Sequence, residues 1–76
     1  MPMYDINVVT KHFTYPHGWD TDKSAAKRLA SNIRRTGGDF AQRLTIEEDP
    51  HVTVVNTVTK EVIYIKPFCK KAIQKR

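Results

Sequence analysis

The sequence predicts an α+β fold: a three- to four-stranded, mainly antiparallel sheet with one amphipathic helix on one face, in β-α-β-β-β order, and a possible short C-terminal helix. Three observations carry this. Residues 21–36, TDKSAAKRLASNIRRT, are the only strongly helical stretch, and Gly37-Gly38 follows at once. One β-type run precedes it, and three follow it, separated by turn residues. Seventy-six residues make one domain at most, and a domain of this size buries only roughly 60% of its unfolded surface, so a single thin core is expected across residues 1–76.

Residues 3–15 read as the first strand, with a change of phase. Tyr4, Ile6 and Val8 share one face and Val9, Phe13 and Tyr15 the other, which predicts a bulge or bend near Val8-Val9. Pro16-His17-Gly18-Trp19 then signals a turn, after which Asp20 or Thr21 supplies the N-cap oxygen. A tryptophan beside a helix start, in a chain short of core residues, is expected to fold back over the core. The functional alternative has Trp19 stacking on a base or anchoring a partner.

Within the helix, Ala25, Ala26, Leu29, Ala30 and Ile33 fall on one side. Lys23, Lys27, Arg28, Arg34 and Arg35 share the other with Ser24 and Ser31. Gly37-Gly38 fits a left-handed cap, with Arg34 and Arg35 favourably placed at the negative end of the helix dipole.

Residues 40–48 alternate cleanly, with Phe40, Leu44 and Ile46 inward, and are expected to form a half-buried strand. Asp49-Pro50 turns the chain into two β-rich runs, 51–55 and 61–66, that read as a hairpin. With Asn56 facing Glu61, Val54 faces Ile63 and Val52 faces Ile65 on one side, and Val55, Val62 and Tyr64 gather on the other. The expected core is therefore Leu29, Ile33, Phe40, Leu44, Ile46, Val52, Val54, Ile63 and Ile65. One helix covers one face of a sheet, so Val55, Val62 and Tyr64 need the C-terminal segment, a second subunit or another partner. Residues 67–76, PFCKKAIQKR, either dock through Phe68 and Ile73 as a short helix or trail as a basic tail.

Thirteen Lys and Arg against eight Asp and Glu give +5, which favours phosphate-rich partners or acidic protein surfaces. The N-terminal MPMYDINVV carries neither a basic leader nor a long apolar run, so a cytoplasmic protein with no membrane span is expected. The lone Cys69 excludes an internal disulfide framework.

His12, His17, His51 and Cys69 lack zinc-site spacing, and Glu47-Glu48 point to opposite sides of a strand, so neither a metal nor a cofactor is expected. No Gly-rich phosphate loop is present, and no nucleophile, base and orienting group can be assembled, so the chain reads as non-enzymatic. The basic helix remains. Lys23 and Lys27 stand at i,i+4, a mutually repulsive spacing, and the helix carries no acid beyond Asp22. The reading that follows is a basic module contacting nucleic-acid phosphates, without sequence readout, through Lys23, Lys27, Arg28, Arg34 and Arg35, assisted by Lys70 and Lys71. A protein-interaction module built on Val55, Val62, Tyr64 and Trp19, in a homodimer or against a larger protein, is the alternative.

Two resemblances bear on this choice. The segment HFTYPHGWDTDKSAAKRLA, residues 12–30, leads an aromatic strand end through an Asp/Thr cap into an SAAKRLA helix. It is similar to small phage-encoded inhibitors of the anti-CRISPR and RNA-polymerase-inhibitor type, which occupy a nucleic-acid-binding or catalytic surface of a host machine. That resemblance implies docking, as a cation, on an acidic host protein surface or on nucleic acid. The order helix, three strands, then PFCKKAIQKR with Lys70-Lys71, resembles double-stranded-RNA-binding domains, whose second helix opens with a Lys-Lys pair on phosphates. Asp49-Pro50-His51 stands where that family has a Gly-Pro-x-His loop.

Overall fold

The computed structural model describes residues 3–38 and 44–73. Four strands and one long helix follow in the order β-β-α-β-β: β1 (Tyr4–Val9), β2 (Thr14–Asp20), α1 (Lys23–Thr36), β3 (His51–Asn56) and β4 (Val62–Pro67). The sheet order is β2-β1-β3-β4, every neighbouring pair is antiparallel, and α1 lies across one face. Two hairpins thus flank the helix in sequence and join through β1 and β3 in space.

The expected first strand is two strands. Its phase change marks a full reversal closed by Thr10, whose hydroxyl accepts the N–H groups of His12 at 3.3 Å and Phe13 at 2.9 Å. The Thr10 N–H donates to the Phe13 carbonyl at 2.8 Å. A threonine side chain here does the work usually signalled by glycine or proline. The 16–19 segment, expected as a turn, is extended within β2. As an edge strand, β2 can hold Pro16 without losing a ladder bond, and a bulge opposite Ile6-Asn7 absorbs one extra residue.

Asp22, not Asp20 or Thr21, is the N-cap: its carboxylate accepts the Ser24 N–H at 3.1 Å, while Asp20 accepts the Asp22 N–H at 2.9 Å. Asp22→Ala should cost about 1 kcal/mol, lowering the melting temperature of a domain this size by about 4–8 °C in a thermal melt. Gly37 ends the helix at φ 81, as its sequence position predicts, with its N–H on the Ile33 carbonyl at 2.7 Å.

No strand occupies the described part of the 40–48 run. Leu44 and Thr45 are irregular and Ile46–Glu48 is one 3₁₀ turn. The alternation there is overruled by Thr45-x-x-Glu48, a helix-start signature: the Glu48 N–H donates to the Thr45 carbonyl at 3.2 Å, and the Thr45 hydroxyl lies 3.4 Å from the Glu48 carboxylate. Phe40, and the side chain of Ile46, lie outside the described residues.

The β3–β4 hairpin is closed by Asn56, whose side-chain oxygen accepts the N–H groups of Val58 and Thr59. Its backbone N–H meets Glu61 at 2.8 Å, as the sequence predicts. A bulge beside Val54-Val55 then shifts the register, so that Tyr64 faces Val54 and Ile65 faces Thr53. One extra residue moves every later side chain to the other face. Tyr64 joins the helix side, half-buried against the core, and Ile65 is turned outward, 62% exposed.

The core consists of Ile6, Val8, Val52 and Val54 from the two central strands, Ala26, Ala30 and Ile33 from α1, and Leu44, Phe68, Ala72 and Ile73. The two alanines let the helix backbone approach the sheet. Leu29 is 40% exposed rather than buried, and Ile63 is only partly buried. The C-terminal segment takes the docked alternative. It buries Phe68, Ala72 and Ile73, but as a single 3₁₀ turn at Lys70–Ala72 rather than an α-helix.

Candidate nucleic-acid interface

Asp22 fixes the phase of α1 and the apolar stripe Ala26, Ala30 and Ile33 fixes its rotation, so the positions of its cations follow from 3.6 residues per turn. Lys23, Lys27 and Arg34 fall on the flank beside the buried stripe, where Lys27 and Arg34 are half-buried. Arg28 and Arg35 point outward and are exposed. The five cations expected on one face therefore divide between a flank and a crest.

Arg34 organises the flank. Its Nε donates to the Pro67 carbonyl at 2.9 Å, and its own backbone carbonyl accepts the Cys69 N–H at 2.9 Å. A third bond, from the Phe68 N–H to the Pro50 carbonyl at 3.1 Å, completes the attachment of the C-terminal segment. Lys70 and Lys71, both exposed, follow directly, on the 3₁₀ turn that packs against α1.

Arg34 keeps its two terminal guanidinium nitrogens available, since only Nε is engaged among the described residues. Arg35 is more committed: its Nη2 donates to the Asn32 side chain at 2.8 Å and its Nε to the Ser31 carbonyl at 3.4 Å. Among the described residues, the charged groups of Lys23, Lys27, Arg28, Lys70 and Lys71 make no ion pair or hydrogen bond.

Sequence reasoning missed one cation of this side. Lys66 stands two residues beyond Tyr64 on β4, and its Nζ lies 5.9 Å from the centre of the Tyr64 ring. Since Tyr64 is on the helix side, Lys66 is there too, along the edge to which Arg34 is tied. The signal was available in Tyr64-x-Lys66, two residues apart on one strand face, but the register needed to choose the face was not.

The protein-interface candidates separate. Trp19 does not fold over the core. Cross-strand pairing sets it opposite Asp5, whose other neighbour is Val55, which in turn faces Val62, so these residues form one row across the uncovered face. Trp19 is 62% exposed and Val62 is 52% exposed, and Ile65 replaces Tyr64 beside them.

The ionisable groups elsewhere do not converge. His51 Nδ1 donates to the Asp49 carbonyl at 2.8 Å, and the Thr10 hydroxyl, which lines the same shallow hollow, is spent on its own turn. Among the described residues no group of three or more His, Cys, Asp and Glu could hold a metal ion, and no helix is long and apolar enough to cross a membrane. Comparison with protein-family models, with curated proteins and with solved structures finds no match to this chain.

Proposed function

We propose that the chain is a non-enzymatic binding module that contacts nucleic-acid phosphates, without reading base sequence, through the basic flank and outward crest of α1 and the docked C-terminal turn. The observation that supports it is the pair of Arg34 bonds, Nε to Pro67 and carbonyl to Cys69, which tie the segment that carries Lys70 and Lys71 to the C-terminal end of α1. Lys23, Lys27 and Arg28 supply point charges along the helix, and Arg34 presents a guanidinium edge held in place by its own Nε. Placing so many like charges together costs stability, and a polyanion relieves that cost. The test is the salt dependence of binding to a duplex DNA and to a duplex RNA of about 20 base pairs. With about four cations engaged at once, log K falls against log salt with a slope of about −3.6. Binding that is absent at low salt, or indifferent to salt, would sink the proposal.

A second reading, a protein-docking or phage-type inhibitor module, is favoured by the exposed Trp19, Val62 and Ile65 on the side of the sheet opposite α1.

A further inference from the structure

We infer that the uncovered sheet face is a docking surface for a protein segment presenting an arginine between apolar side chains. The inference specifies the partner for the second reading above and does not depend on the helix. The row Trp19, Asp5, Val55, Val62 crosses all four strands, and Ile65 extends its apolar part into the next row. Its two ends are more than half exposed, whereas Asp5 is half-buried between an indole and a valine.

Asp5 is the one carboxylate that strand pairing places on this face, and its carboxylate makes no ion pair or hydrogen bond among the described residues. Pairing places no Lys or Arg there. Covering Trp19, Val62 and Ile65 with a purely apolar surface would strip water from Asp5 and leave a charge uncompensated, a loss larger than the gain from the valines.

An arginine answers both needs. Its planar guanidinium stacks on the Trp19 indole, directly across the strand pair from Asp5, and donates two parallel N–H bonds to the Asp5 carboxylate. Apolar residues beside it cover Val55, Val62 and Ile65. A second copy packed face to face brings no arginine, only Lys11 and His51, which border this face beside Ile65, four or more residues along the strands from Asp5. A nucleic acid brings phosphates to a row whose central charge, Asp5, is negative.

Trp19 is the only tryptophan of the chain, so its fluorescence reports this face alone. The full chain is titrated with the blocked peptide acetyl-Leu-Thr-Arg-Thr-Val-amide, whose Leu, Arg and Val share one face when extended, and with the same peptide carrying citrulline, which keeps the shape of arginine and loses its charge. The expected result is a saturable change with the arginine peptide, weakened about tenfold or more by citrulline or by Asp5→Asn, and unchanged in Lys27→Gln/Arg28→Gln. Equal affinities for the two peptides, or no saturable response to either, overturn the inference without needing any variant. Concentration-dependent dimerisation that Asp5→Asn strengthens also overturns it, by naming a second copy as the occupant, as does an oligonucleotide whose quenching of Trp19 survives Lys27→Gln/Arg28→Gln.

Discussion

Ile6→Ala is expected to lower the unfolding free energy by about 3 kcal/mol, and Ile65→Ala by less than about 1 kcal/mol. Ile6 is fully buried on β1, between β2 and β3 and beneath the helix, where truncation leaves a cavity that the close approach of Ala26 and Ala30 cannot fill. Ile65 leaves little behind, because most of its side chain is already in water. A domain of 76 residues stands near the low end of the usual stability range, about 5 kcal/mol, so the first substitution removes over half of it. Urea denaturation reads the difference as a large fall in midpoint for Ile6→Ala and a small one for Ile65→Ala, at constant slope. A large effect at Ile65 would mean that β4 keeps the register of an unbulged hairpin.

That contrast locates what could be read from the sequence. The helix and its glycine stop were legible because Ala26, Ala30 and Ile33 repeat at helical spacing before a residue that must adopt positive φ. The hairpin turn was legible because Asn56 has a local hydrogen-bonding preference. Failures came where a single residue changed the period. The bulge beside Val54-Val55 exchanged Tyr64 and Ile65 between faces, and nothing in a string of β-branched residues marks such a slip. Thr10 folded one expected strand into two without glycine or proline.

The cations of the proposed site could be named from the sequence, but their distribution over the fold could not. The segment that carries Lys70 and Lys71 is tied to the helix by the Arg34 side chain, which donates to Pro67, and by the Arg34 carbonyl, which accepts from Cys69, a long-range pairing that no local pattern encodes. Trp19 was misplaced for a related reason. Its expected packing over the core assumed that the segment before the helix turns, whereas the edge strand carries it to the opposite side of the sheet.

The second large effect is expected from Lys23→Gln/Lys27→Gln/Arg28→Gln. These three side chains are unpaired among the described residues and project from a helix whose packed face they do not share, so their loss should leave stability within about 0.5 kcal/mol. Relief of the Lys23–Lys27 repulsion offsets part of any packing lost from the half-buried Lys27 stem. The effect on binding should be far larger. Each lost phosphate contact removes about 0.9 from the salt slope, and three together should weaken binding by a factor of about 100 or more at 50 mM salt.

The decisive measurement is therefore the affinity of this triple variant for a duplex of about 20 base pairs across a salt series, beside the unaltered chain and a Lys60→Gln control at the hairpin tip. The account predicts a slope near −3.6 for the unaltered chain and the control, falling to about −1 in the triple variant, with affinities converging at high salt. Three coincident lines, or a loss as large for Lys60→Gln as for the triple variant, would contradict it.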